Sequence, residues 1–180
     1  MVKEKVVVPK GIRYISEWKD FAIPDYPCII DKKIPGCGFT EYCITNPEDV
    51  ILCSPRKILL GNKDKQHSGE VLYVKNELDQ DTATDKHLEK ITKGSTKVPI
   101  KLVDITPKEV RKKIIEELKN KIKSYVDQCY CEKKPIKILV TYDSFRLVKE
   151  TLGSQIKNFR IVIDEFQSIF TDSRFKSDTE

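Results

Sequence analysis

The stretch FRIVIDEFQSIF, residues 159–170, runs from an apolar, β-branched segment straight into an acidic pair, Asp164-Glu165. Its first residues read as a strand covered on both faces, because apolar residues follow one another instead of alternating with polar ones. Five other runs share this character: PCIID (27–31), DVILCS (49–54), VLYVK (71–75), PIKLVDI (99–105) and IKILVT (136–141). Helical patterns fall between them at 39–46, 55–65, 106–128 and 144–152. Strands alternating with helices predict an α/β fold, a three-layer sandwich around a mostly parallel central sheet.

The clearest helix is TPKEVRKKIIEELKNKIKSYVDQ (106–128). Thr106 is placed to cap it, Pro107 suits its first turn, and Glu109 completes a capping box. Val110, Ile114, Leu118, Ile122 and Tyr125 or Val126 share one face, and the lysines lie on the other, solvated one. Residues 76–98 are polar and carry Gly94-Ser95, so they read as an insertion or loop. No internal repeat is evident.

A chain of 180 residues buries one good core and forms one domain. With 39% hydrophobic and 34% charged residues, it has the composition of a soluble globular protein. No run is long and apolar enough to span a bilayer, and MVKEKVVVPK lacks the apolar core of a secretory signal, so no membrane partner is expected. The six cysteines are scattered mostly through apolar runs, which fits reduced thiols in a cytoplasmic setting. Cys129-Tyr-Cys131 has no second pair at zinc-site spacing. The net charge of +5 permits a polyanionic partner without demanding one.

The segment IDKKIPGCGFTEYCI (30–44) has the parts of a phosphate-binding loop. Gly36 and Gly38 allow backbone N–H groups to approach phosphates closely, and Thr40 opens a helix with a hydroxyl suited to Mg²⁺. A lysine that would reach the β- and γ-phosphates is replaced by Phe39, while Lys32 and Lys33 precede the glycines. Asp164-Glu165 follows about 120 residues later, again after an apolar strand. In such an acidic pair, the first carboxylate holds Mg²⁺ and the second polarises the attacking water.

In these motifs the chain resembles the N-terminal ATP-binding domain of a superfamily 1 or 2 helicase, a P-loop NTPase of RecA-like fold, of a phage or mobile-element type. IPGCGFT is similar to helicase motif I, the Walker A loop; VILCSPRKILLGNK (50–63) to motif Ia; ILVTYDSFRLV (138–148) to the motif that follows the next strand and helps hold single-stranded DNA; and IVIDEFQ to motif II, the Walker B segment, in a superfamily 1 form. The resemblance spans nearly the whole chain and implies ATP and Mg²⁺ as cofactors. Gly36, Cys37, Gly38 and Phe39 would offer backbone donors to the phosphates, and Thr40 and Asp164 would hold Mg²⁺. Glu165 would be the general base and Gln167 the γ-phosphate sensor. Ser54, Pro55, Arg56, Thr141, Tyr142 and Ser144 would meet the nucleic-acid backbone. Tyr142 either stacks on a base or packs in the interior.

By this resemblance, residues 1–26 are a lead-in, 27–170 the ATP-binding domain and 171–180 a tail towards a second motor domain. That second domain, with motif III and its arginine fingers, is expected in a longer chain or a complex, since Glu180 follows Glu165 by fifteen residues. The partner is single-stranded or duplex DNA, or RNA, in a role such as DNA replication. Two other readings compete: a degenerate P-loop domain that binds nucleotide or single strands without hydrolysis, and an α/β scaffold that docks a replication protein through its basic helix.

Overall fold

The structure, a computed structural model, describes residues 6–32, 36–75 and 107–168. The expected strand at 99–105, the loop at 76–98, Thr106 and the tail lie outside these residues. Among the described residues four parallel strands form the sheet: β1 (Val50–Cys53), β2 (Leu72–Val74), β3 (Lys137–Val140) and β4 (Arg160–Ile163). Their order is β2-β3-β1-β4, and β1 pairs with both β3 and β4. Among the described residues four α-helices accompany them: α1 (Phe39–Thr45), α2 (Lys57–Gln66), α3 (Pro107–Glu132) and α4 (Tyr142–Leu152).

Strand periodicity divides the core in two. Ile51 and Cys53 join Ile138 and Val140 on one face, where Ile122, Val126 and Cys129 of α3 and Val148 and Leu152 of α4 cover them. Val50, Leu52 and Leu139 point the other way, against Phe39, Cys43 and Ile44 of α1 and Leu60 of α2. The protein is therefore α/β with an all-parallel sheet between two helical layers, and every residue of β1 and β3 is buried. Each fully buried aliphatic side chain here contributes about 1.5–3 kcal/mol relative to exposure.

The helix expected at 106–128 continues to Glu132, and its predicted face is the one turned inward. Val110, Ile122 and Val126 are buried, while Ile114, Leu118 and Tyr125 are half-buried. α4 begins at Tyr142, two residues before the expected start, with Thr141 as its N-cap residue. Among the described residues no helix is long and apolar enough to cross a membrane.

The strand expected at 27–31 does not form. These residues are exposed and carry no ladder. The physical reason is the lack of a neighbouring strand: β4 pairs with β1, and its other side faces residues 27–31 across an open groove. Apolar content gives a segment strand character, but only a partner about 5 Å away completes its backbone hydrogen bonds.

A buried lysine ties α1 to the sheet. Lys137, at the start of β3, is 3% exposed, and its Nζ donates to Cys43 O (3.1 Å), Asn46 Oδ1 (2.5 Å) and Glu48 O (2.6 Å). Burial pushes this amine down from 10.5 to about 8. A lysine whose folded value is depressed holds fewer protons when folded, so stability rises with pH between the two values. Between about pH 7 and pH 10, urea unfolding should show wild type gaining on the order of 1–3 kcal/mol over Lys137→Met. A pH-independent difference would show that the carbonyl cage keeps the amine charged.

Candidate functional site

β1 and β4 run in register, Cys53 beside Ile163, and Asp164 N continues the ladder to Cys53 O (2.8 Å). The turns leaving these two strands therefore emerge side by side at the carboxyl end of the sheet, where open parallel sheets bind ligands. The turn after β4 carries Asp164-Glu165, and the turn after β1 carries Ser54-Pro55-Arg56. Beside them runs a groove of about 1830 Å³. Gly36, Cys37, Gly38, Phe39 and Thr40 line it together with Asp164, Glu165 and Gln167. Residues of both motifs thus line one broad groove.

The loop owes its glycines first to local geometry. Gly36 and Gly38 have φ of +72° and +79°, in the left-handed region. A Cβ on Gly38 would lie 2.9 Å from Tyr14 Cβ and 3.2 Å from Ser16 Oγ, so the lead-in excludes a side chain there. Ile15 N donates to Cys37 O (2.8 Å), fixing the loop to the short 3₁₀ turn Ile15–Glu17. Phe39, the first residue of α1, is 8% exposed and packs in the core with Cys43 and Leu60. Thr40 is half-buried.

Each carboxylate of the acidic pair is held by a base from another part of the chain. Asp164 is buried, and Lys32 Nζ lies 2.6 Å from its Oδ1. The same ammonium stands 5.6 Å from the centre of the Phe39 ring, a cation–π contact. Glu165 receives a two-pronged contact from Arg56, with Nε to Oε2 at 3.0 Å and NH2 to Oε1 at 2.7 Å. Glu165 itself sits at φ +56°, which costs a non-glycine residue about 1 kcal/mol or more; Lys133, just past the end of α3, is likewise left-handed. Gln167 is exposed.

Several expected nucleic-acid contacts are placed otherwise. Ser54, Thr141 and Ser144 are 0%, 5% and 1% exposed, so their hydroxyls are not presented to a ligand. They close turns instead: Arg56 N donates to Ser54 Oγ (3.3 Å), and Thr141 Oγ1 donates to Ser144 Oγ (3.1 Å). Small hydroxyl residues at strand ends satisfy orphan backbone and side-chain groups, and the same chemistry reads in sequence as ligand binding. Pro55 is half-buried and Arg56 exposed. Tyr142 is half-buried, packs against the core, and donates its hydroxyl to the Asp164 carbonyl. Burial raises its phenol above the ordinary value.

The groove walls are braced by further ion pairs that the sequence did not announce. Glu41 of α1 pairs with Lys63 of α2 and with His67 Nε2 (3.0 Å). Burial alone would raise the Glu41 carboxyl, but bonds from Lys63 and His67 outweigh it and lower the value. Arg160 joins β4 to Glu48, to Pro24 O (2.8 Å) and to Asp25 Oδ1 (3.0 Å), fastening the far wall. All six cysteines are free, with Cys129 buried and Cys131 exposed, so that pair does not face one site. Burial pushes the Cys43 and Cys53 thiols up to about 12, which leaves them unreactive.

Thr40 and Asp164 offer hydroxyl and carboxylate oxygens, the donor type that Mg²⁺ takes, while among the described residues no three His, Cys, Asp or Glu side chains gather as a metal-holding group. No protein-family profile, no curated protein and no solved structure matches this chain.

The strained turn yields a separable test. Glu165→Gly relieves the left-handed φ and removes the Arg56 contact, whose exposed partner makes it worth less than about 1 kcal/mol. Urea unfolding should find the variant as stable as wild type, or more so by up to about 1 kcal/mol. A loss larger than that would mean the Arg56–Glu165 pair holds the turn together.

Proposed function

We propose that this chain is the first ATP-binding motor domain of a nucleic-acid helicase, with a RecA-like P-loop fold and the nucleotide's phosphates in the groove beside the acidic pair. One observation carries the reading: the glycine loop and the Asp164-Glu165 turn, remote in sequence, line the same groove at the carboxyl ends of β1 and β4. Thr40 and Asp164 would hold Mg²⁺, which supplies charge neutralisation at the phosphates when bound. Glu165 is the group to accept a proton from the attacking water, and Gln167, on the same wall, is the amide to sense the γ-phosphate.

Arg56 gives the reading its link to nucleic acid. It is the exposed residue of the expected phosphate contacts, and it grips Glu165. A guanidinium binds phosphate and carboxylate with the same fork geometry, so a nucleic-acid phosphate competes with Glu165 for it. Drawing Arg56 away releases the carboxylate for base catalysis, which couples DNA or RNA binding to hydrolysis. Movement along a strand would need the second motor domain.

A nucleotide-binding domain that does not hydrolyse is the second reading. The buried ring of Phe39, where a lysine would neutralise charge transferred in the reaction, is what favours it.

Mg²⁺-ATP binding and phosphate release, measured with and without single-stranded DNA, test both. Hydrolysis stimulated by DNA should fall by about 100-fold or more in Glu165→Gln, with nucleotide binding kept. Absence of binding at millimolar nucleotide would end the nucleotide reading, whereas binding without Glu165-dependent turnover would select the second. Arg56→Ala should raise DNA-independent release severalfold and shrink the stimulation by DNA. A fall in basal release would instead make Arg56 a support for Glu165.

A further inference from the structure

We propose that Lys32 is the phosphate-binding cation of this site, delivering from ahead of the glycine loop the charge that Phe39 does not supply. The proposal rests on the nucleotide-site reading above. Two contacts locate the ammonium: it is 2.6 Å from Asp164 Oδ1 and 5.6 Å from the centre of the Phe39 ring. It thus lies at the meeting point of the two motifs, beside the residue that stands in the lysine's place.

Among the described residues, two of the other basic side chains lining the groove brace its walls, Lys63 with Glu41 and Arg160 with Glu48 and Asp25, while Arg56 pairs with Glu165, the contact that a nucleic-acid phosphate would open. Lys32 alone among them pairs with the carboxylate expected to turn to a metal ion. Were Asp164 to hold Mg²⁺, its carboxylate would no longer need the ammonium, and Lys32 would be free to pair with a phosphate oxygen instead. Lysine suits this exchange: its charge sits at the end of a flexible stem, and its three N–H donors impose no fixed fork. The side chain is 35% exposed, so it can turn without breaking the core, whereas the carboxylate it leaves is 7% exposed and needs a replacement cation. The Phe39 ring also gains a use, since its face holds the cation near the phosphates without competing as an anion would.

Nucleotide binding by the full chain tests the proposal, using Mg²⁺-ATP, Mg²⁺-ADP and AMP as ligands. Lys32→Ala should weaken ATP at least tenfold, ADP less, and AMP by under twofold, because the lost contact is to the outer phosphates. Lys32→Arg should keep ATP affinity within about threefold of wild type, since charge and reach persist. Lys32→Gln, close in length and placed at a partly exposed position, repeats the charge removal should the alanine variant fold poorly. If wild type binds ATP and the neutral variants bind it equally well, Lys32 is not the phosphate cation, although the nucleotide reading survives. If they lose ATP, ADP and AMP alike, Lys32 only neutralises Asp164, and the proposal falls. If wild type binds no nucleotide, both fall.

Discussion

The pairing of β1 with two parallel neighbours at one register governs what this chain can do. Cys53 lies beside Val140 on one side and Ile163 on the other, so three strands finish at the same level. Parallel strands send their exits to the same end of a sheet, and the turns bearing Arg56, Tyr142 and Asp164-Glu165 become neighbours there. A slip of one residue would exchange the side chains facing each helical layer, and with both faces of β1 apolar the fit of particular side chains, not polarity, holds the register. The hydrophobic core thereby sets the positions of polar groups that contribute nothing to it.

Helix α1 shows how much of the site is held from outside. With seven residues it is too short to be stable alone, and three separate contacts pin it. Lys137 grips its carboxyl end, Glu41 binds Lys63 and His67 on its flank, and Gly38 lets the lead-in close against its start. The acidic pair is treated similarly. Burying Asp164 is unfavourable without a counter-charge, and Lys32 supplies one; Tyr142 anchors the same residue through its carbonyl. Glu165 keeps a left-handed backbone beside this well-fixed neighbour.

Much of the architecture could be read directly. The runs around β1, β2, β3 and β4 are short, β-branched and nearly continuous, and a buried parallel strand needs that composition whatever its neighbours. The inward face of α3 followed from helical spacing, because amphipathicity is a property of the sequence itself. Residues 27–31 were misread for the converse reason: their apolar character is real, but strand formation depends on a partner elsewhere in the chain. The hydroxyls of Ser54, Thr141 and Ser144 are buried and used within their own turns, which the sequence does not reveal because closing a turn and binding a phosphate use the same small donors.

Local composition by itself determined the alternation of strands and helices, the position of the glycine loop and the presence of an acidic pair at a strand end. These rest on periodicity, backbone freedom and residue chemistry, which act over a few residues. Tertiary structure alone decided that loop and acids open on one groove, that Tyr142 packs against the core, and that Lys32 and Arg56 each take one carboxylate. Lys32 meets Asp164 and Arg56 meets Glu165 across more than a hundred positions, and no local rule brings such charges together. The sheet register does so, because it depends on which strands pair.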